Sequence, residues 1–313
     1  MSQMTNSQAR VIDPILTEVA RGYQQNGLVG MALFPRVPVN QRGGKIITFG
    51  KEAFMQYANM KRAPGQSTRR VQFGYAGASF ALEDFSLEGQ VPIETQQEAE
   101  TVPGIDMGSR TVNGVQDIIA NRLEIAQAAL ALNASNYAAS NKVTLSGTSQ
   151  WSDLANSDPV ANVETAKEAI RALTGKRPNV CVMGAAVFAK VKQTAAVKDR
   201  IKYTGRDIAT PDLLASLFGV QQVLIGDSVY ANDDGTFVDT WGKFVVLAYT
   251  PNASVAAQGL PSYGYTYQLS GMPMAEEPYY DRNSKSWIYP VDDSCAPVIA
   301  GAESGYLISA AVA

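Results

Sequence analysis

The chain has 313 residues, 46% hydrophobic and 18% charged, with a formal net charge of −3. That length supports one large or two medium soluble domains, and that charge excludes a surface built wholly for binding polyanions. No apolar run approaches the ~20 residues of a membrane span, and the polar start, Met1 to Gln8, lacks the apolar centre of a secretory signal, so use without secretion and without a membrane is expected.

In chain order, the polar start leads into a short amphipathic helix. Asp13 suits its cap, Pro14 its first turn and Gly27 its end. Leu16, Val19, Ala20 and Tyr23 fall on one face. Next comes one very long excursion, from Leu33 to Pro92. It opens with the proline-punctuated run Phe34-Pro35-Arg36-Val37-Pro38-Val39 and continues as a short strand, Gly44 to Phe49. A polar, basic tip runs from Lys61 to Arg70, and a strand-like return from Val71 to Leu87. The apolar residues of that return change phase twice, near Gly74–Gly77 and at Glu83-Asp84. A strand's period is two, so each change predicts a bend or bulge. An acidic linker follows Gln90-Val91-Pro92-Ile93.

A long helix is predicted from Thr111 to Asn133, with Val115, Ile118, Ile119, Leu123, Ala126 and Leu130 on its apolar face. At about 1.5 Å per residue it would be ~35 Å long. After a polar joint, Ser146 to Asp158, helices and strands alternate. Asp158-Pro159 starts a helix that Gly175 ends, with Val160, Val163, Ile170 and Leu173 inward. Asn179–Met183 is a strand and Ala185–Lys192 a helix. A charged connector, Lys198 to Asp207, precedes a helix from Thr210-Pro211 to Gly219. Val220–Ile225 and Phe244–Tyr249 are strands, and Asn232-Asp233-Asp234-Gly235 is a hairpin turn. Two late strands, Ser286–Val291 and Gly305–Ser309, fit nothing nearby in sequence. They are paired with the long-helix region, which makes the alternating segment an insertion.

The excursion is longer than an irregular loop in a compact domain usually is, and a lone two-stranded hairpin is marginal in water. Another copy of the chain is the natural support. From Arg42 to Arg70 there are seven basic residues (Arg42, Lys45, Lys51, Lys61, Arg62, Arg69, Arg70) against one acid, Glu52. From Val71 to Asp106 there are seven acids and no base. On charge alone, a solvated basic loop or a nucleic-acid patch is the commoner explanation. A basic tip and an acidic base repeated in every subunit also suit a head-to-tail contact.

Signals for chemistry are sparse. The chain has no histidine, which removes Ser-His-Asp and Cys-His nucleophiles, the usual zinc sites and the commonest acid–base group. Cys181 and Cys295 lack metal-ligand spacing, and Cys181 reads as a small buried hydrophobe. No phosphate loop, dinucleotide fingerprint or nucleophile elbow is present. The acid pairs Asp233-Asp234, Glu276-Glu277 and Asp292-Asp293 are adjacent along the chain, and adjacent strand residues face opposite ways. Trp151, Trp241, Trp287, Tyr279 and Tyr280 read as packing. No catalytic residue, cofactor or metal ligand is assigned.

The order of parts resembles the major capsid proteins of tailed bacteriophages, which share the shell fold first seen in phage Hong Kong 97. Phe34 to Val39, with Gly44-Lys45 and Phe49-Gly50-Lys51-Glu52-Ala53-Phe54, looks like the start of that family's extended loop. Arg62-Ala63-Pro64-Gly65 looks like its tip, and Arg122-Leu123-Glu124 with Ala126 and Ala129 looks like its spine helix. Val180–Met183 followed by a helix, and Gly305-Tyr306-Leu307-Ile308, look like axial and closing peripheral elements.

The resemblance implies an α+β fold in four parts: an N-terminal arm at 1–41, an extended loop at 42–92, a peripheral domain at 93–155 and 278–313 with spine helix 111–133, and an axial domain at 156–277. It implies a structural protein rather than an enzyme, forming hexamers and pentamers of an icosahedral virion shell assembled in the bacterial cytoplasm. Double-stranded DNA inside would be contacted weakly and non-specifically. Scaffolding, portal and decoration proteins would be separate partners. The inter-subunit contact expected from the loop comprises Phe54, Met55, Tyr57, Lys61, Arg62, Arg69, Arg70, Phe73 and Tyr75. Its acidic counterpart comprises Glu83, Asp84, Glu88, Glu94, Glu98 and Glu100. Two rivals share some features: an encapsulin-like shell around protein cargo, and a carboxylate-dependent hydrolase in which acids such as Glu276 and Asp292 converge in a cleft.

Overall fold

The computed structural model describes residues 27–45, 62, 64–65, 67, 79–100, 106–202, 209–251 and 262–313. The predicted first helix and most of the extended loop lie outside these residues.

After a short helix α1 (Gly30–Leu33), strand β1 (Arg36–Val39) begins the excursion. Strand β2 (Gly43–Lys45) pairs antiparallel with β3 (Ser79–Ala81), which joins the two limbs of the loop at its root. Strand β4 (Glu83–Pro92) then changes partner. The phase change predicted at Glu83-Asp84 marks this switch: Leu82 still donates to the Arg42 carbonyl, and from Glu83 onward the strand is in another sheet. The segment read as an acidic linker is instead a helix, α2 (Ile93–Glu100).

The long helix α3 runs from Met107 to Leu132 and starts earlier than predicted. Asp106 provides the reason: its side chain accepts from the Gly108 amide at 2.9 Å, satisfying a first-turn donor. At about 1.5 Å per residue the helix is ~39 Å long. Its first half packs on β4 and on β14 (Ser286–Ile299) through Val91, Val112, Val115, Tyr289 and Val291. Its last turns, at Ala128 and Ala131, pack with Leu33, Phe34 and one face of a second sheet. Ile118 does not join either core; it is 60% exposed.

That second sheet follows β5 (Lys142–Thr144) and helix α4 (Pro159–Thr174). Asp158 caps α4 through Val160 and Ala161, both at 3.0 Å, and Gly175 ends it with φ +65°. Val160, Val163 and Ile170 face inward as expected, while Leu173 is exposed. Strand β6 (Val180–Gly184) leads to α5 (Ala185–Val191) and α6 (Ala195–Ile201), so the start of the predicted charged connector is helical. Helix α7 (Pro211–Phe218) is capped by Thr210 and ends at Gly219. Strand β7 (Gln222–Gly226), the hairpin β8 (Val229–Ala231) and β9 (Phe237–Asp239), and β10 (Val245–Ala248) follow. Trp151 and Trp241 are fully buried, but Tyr279 and Tyr280 are exposed.

The remaining strands are β11 (Gly264–Leu269), β12 (Met274–Ala275), β13 (Tyr279–Asp281), β14 and β15 (Gly305–Ser309). Two larger sheets result. One is ordered β5-β15-β10-β6-β7. The other is built on β14, whose one edge pairs with β11, β12 and β13 in turn and whose other edge pairs with β4; β1 runs parallel to β11. The chain therefore crosses between sheets more often than predicted. Gly305–Ser309 is not beside Ser286–Val291; its alternation, with Leu307 on one core and Tyr306 and Ile308 on another, fills the slot beside β10. Strands β11 and β12, expected in the inserted domain, complete the β14 sheet.

Candidate subunit-contact surface

Strand β4 matches β14 residue for residue, from Glu83 opposite Cys295 to Pro92 opposite Ser286. Alternate residues then face alternate sides. Phe85, Gly89 and Val91 face helix α3. The guanidinium of Arg122 lies 4.5 Å from the Phe85 ring centroid. A Cβ at Gly89 would stand 2.2 Å from Thr111 Cγ2, so only glycine lets the helix approach there. Asp84, Ser86 and Glu88 face the other way, into a cleft of about 200 Å³. Glu276, Asp292 and Asp293 also line this cleft.

The sequence could not group these acids, because the register of β4 on β14 brings together positions about two hundred residues apart. Asp84 pairs with Arg42 and accepts from the Ser294 hydroxyl. Tyr279 donates its hydroxyl to both oxygens of Glu88 at 3.2 Å. Burial pushes the Asp293 carboxyl above its ordinary value, opposed by a 2.8 Å hydrogen bond from Gln268. Burial likewise pushes the Cys295 and Cys181 thiols up to about 12, so both are inert hydrophobes. Among the described residues, no group of three or more His, Cys, Asp or Glu is placed to hold a metal ion, and no helix is long and apolar enough to cross a membrane.

Of the predicted contact residues, Arg62 is exposed beside the turn at Pro64-Gly65. Phe54, Met55, Tyr57, Lys61, Arg69, Arg70, Phe73 and Tyr75 lie outside the described residues. Glu83, Asp84 and Glu88 are exposed on β4, and Glu94 and Glu98 are exposed on α2. Glu100 ends that helix.

One residue was missed. Glu124, on α3, is 1% exposed. Its Oε1 accepts from the Val29 amide at 3.0 Å and from the Trp241 indole at 2.6 Å, and its Oε2 accepts from the Gly30 amide at 2.8 Å. It therefore ties the root of the N-terminal arm to the long helix and to the β10 sheet. Burial raises its pKa and these three donors oppose the rise. All three partners are N–H groups, an arrangement that suits a carboxylate with nothing left to donate. A Cβ at Gly30 would lie 2.1 Å from Gln127 Oε1 and 2.7 Å from Glu124 Oε2, so a larger residue here would displace these two buried side chains. A charged residue among alanines and leucines, at a helix position surrounded by core, was the available signal.

A major capsid protein from Burkholderia phage BcepMu is 36% identical over 306 residues, 97% of each chain. The chain belongs to the phage major capsid proteins. A model of the family described as phage major capsid protein E matches residues 135–280. A solved phage-related protein from Bordetella bronchiseptica RB50 superposes with a TM-score of 0.83 at 44% identity, covering 97% of this chain and 98% of that one. The capsid of cyanophage P-SCSP1u superposes with a TM-score of 0.58 at 10% identity over 99% and 92% of the two chains, a likeness of fold. The α+β capsid fold is thus the fold of this major capsid protein, and its work is structural. Glu276 and Asp292 do converge, as the hydrolase reading required. They do so, however, in a family of structural shell proteins.

Proposed function

We propose that the chain forms hexamers and pentamers that close into an icosahedral phage head around double-stranded DNA. The basic limb of each extended loop lies on the acidic side of strand β4 in the next subunit. The observation that carries this reading is the acidic side of β4, where Asp84 and Glu88 are exposed and face a cleft that Glu276 and the buried Asp292 and Asp293 also line. The Arg42–Asp84 pair is a single-chain instance of the contact. Lys61, Arg62, Arg69 and Arg70 supply further cations, and Glu94 and Glu98 further acids. Exposed ion pairs contribute about 0–1 kcal/mol each, so they set register. Burial of Phe54, Met55, Tyr57, Phe73 and Tyr75 contributes more, at about 25 cal/mol per Å².

The accompanying division is arm 1–41, loop 42–92, peripheral domain 93–155 and 278–313, and axial domain 156–277. Strand pairing argues for counting 264–277 with the periphery and 305–313 with the axial part. Assembly takes place in the bacterial cytoplasm, with separate scaffolding, portal and decoration proteins. The encapsulin-like alternative shares the fold, but the whole-chain relative is a phage capsid protein.

Deleting Lys61–Arg70 tests the reading. Electron microscopy should show closed shells, or capsomers, for the parent chain and none for the deletion, while the deleted chain keeps the parent's circular dichroism. Regular particles from the deleted chain would refute it.

A further inference from the structure

Three exposed apolar side chains lie on two elements that meet near the arm root. Phe237 is 77% exposed, Ile118 60% and Val229 44%. In hairpin β8–β9, Val229 pairs with Asp239 and Ala231 with Phe237. Alternate strand residues share a face, so Val229 and Phe237 stand on the same side of the hairpin. The hairpin meets helix α3 where Asn121 Nδ2 donates to the Val229 carbonyl at 3.5 Å. Ile118 is one turn before Asn121, and residues three apart on a helix are surface neighbours. Gly114, a further turn back, has open space where a side chain would be. Single exposed apolar residues are ordinary, but three gathered where two elements meet offer a surface on which an apolar stripe can dock.

The chain itself supplies a cover of matching chemistry. Glu124, one turn beyond Asn121 on the same helix, holds the amides of Val29 and Gly30. The N-terminal segment therefore departs from within two turns of Ile118, about 9 Å along the helix axis. In that segment Leu16, Val19, Ala20 and Tyr23 repeat at i, i+3, i+4 and i+7, one apolar stripe. As a helix, residues 13–27 would span about 22 Å, more than the separation to be crossed.

We propose that the apolar stripe of residues 16–23 docks in cis on the surface formed by Ile118, Val229 and Phe237. The segment then lies along the outer side of the spine helix, and Glu124 fixes where it departs.

Disulfide trapping tests this in the full chain. Ile118→Cys is combined, one at a time, with Leu16→Cys, Val19→Cys or Tyr23→Cys, and with Thr17→Cys or Arg21→Cys on the opposite face. The native thiols are buried and inert. After mild oxidation, an intrachain disulfide should form with at least one stripe position, in several-fold higher yield than with Thr17→Cys or Arg21→Cys. Disulfides only between chains would mean that a second copy covers the surface, and equal yields on both faces would mean no docking; either result overturns the proposal. A second readout needs no disulfide. An environment-sensitive fluorophore on Phe237→Cys should shift its emission to the red when residues 1–26 are deleted, and unchanged emission would also overturn the proposal. Neither readout depends on particles forming, so its failure is distinct from failure of the loop contact.

Discussion

Strand β6 is buried at all five residues, while strand β4, twice as long, is exposed at seven of its ten. Both are extended chain hydrogen-bonded to neighbours, yet they use their side chains differently. In β6, Val180 and Val182 fill one core and Cys181 and Met183 another, so both faces stabilise the subunit itself. In β4, one face holds helix α3 through Phe85, Gly89 and Val91, and the other presents carboxylates to a cleft. The contrast separates residues that hold the subunit together from residues that the proposed contact would use. A substitution in the first group should lower stability whether or not particles form, and one in the second should change assembly alone.

The largest expected effect is at Glu124. Glu124→Ala leaves three buried N–H donors without a partner and should cost about 3 kcal/mol or more, read by urea denaturation of unassembled subunits. Glu124→Gln keeps the size but turns an amide NH2 toward a backbone or indole N–H, and should cost about 1–3 kcal/mol. A glutamine variant as stable as the parent would mean that the carboxyl is protonated in the fold. In that case the sign of the pH dependence is fixed. A folded pKa above the ordinary ~4.3 means that the folded state holds the proton more tightly. Stability would then fall as pH rises from the ordinary value through the raised one, and a flat profile would mean that the three donors offset the burial and leave the carboxyl unshifted.

A smaller effect per contact is expected on the β4 side. Glu88→Lys with Glu94→Lys reverses two exposed charges. It should change subunit stability by no more than about 0.5 kcal/mol. Each inter-subunit contact should weaken by about 1–2 kcal/mol, the scale of two exposed ion pairs. Because the proposed contact would recur in every subunit, particle yield should collapse while the urea midpoint stays. A fall in both would move β4 into the group that holds the subunit together.

The same contrast explains what the sequence made legible. Helix α4 was read almost to the residue, because Asp158, Pro159 and Gly175 are local signals and its inward residues have a local core. The family resemblance came from the order of such parts. What escaped was set by long-range register. The acids of the cleft are joined only by β4 on β14, and Gly305–Ser309 finds its partner only once the β10 sheet exists. Ile118 keeps the apolar period of α3 but points away from both cores, so periodicity alone assigned it to the interior. Glu124 breaks that period because it serves the backbone of another segment rather than solvent.

The smallest effect sharpens the comparison at the start of α3, which bears on β4 through its first turns. Asp106 accepts from the Ser109 hydroxyl and the Gly108 amide, and these bonds hold its carboxyl below the usual range. A depressed folded pKa stabilises above the unfolded value, ~3.9, and that contribution is lost as pH falls through the lower folded value. Asp106→Ala should therefore cost about 1 kcal/mol at neutral pH, and the gap between parent and variant should close below about pH 4. A gap that persists in acid would assign the loss to packing around Tyr289 and Gly108 rather than to the cap.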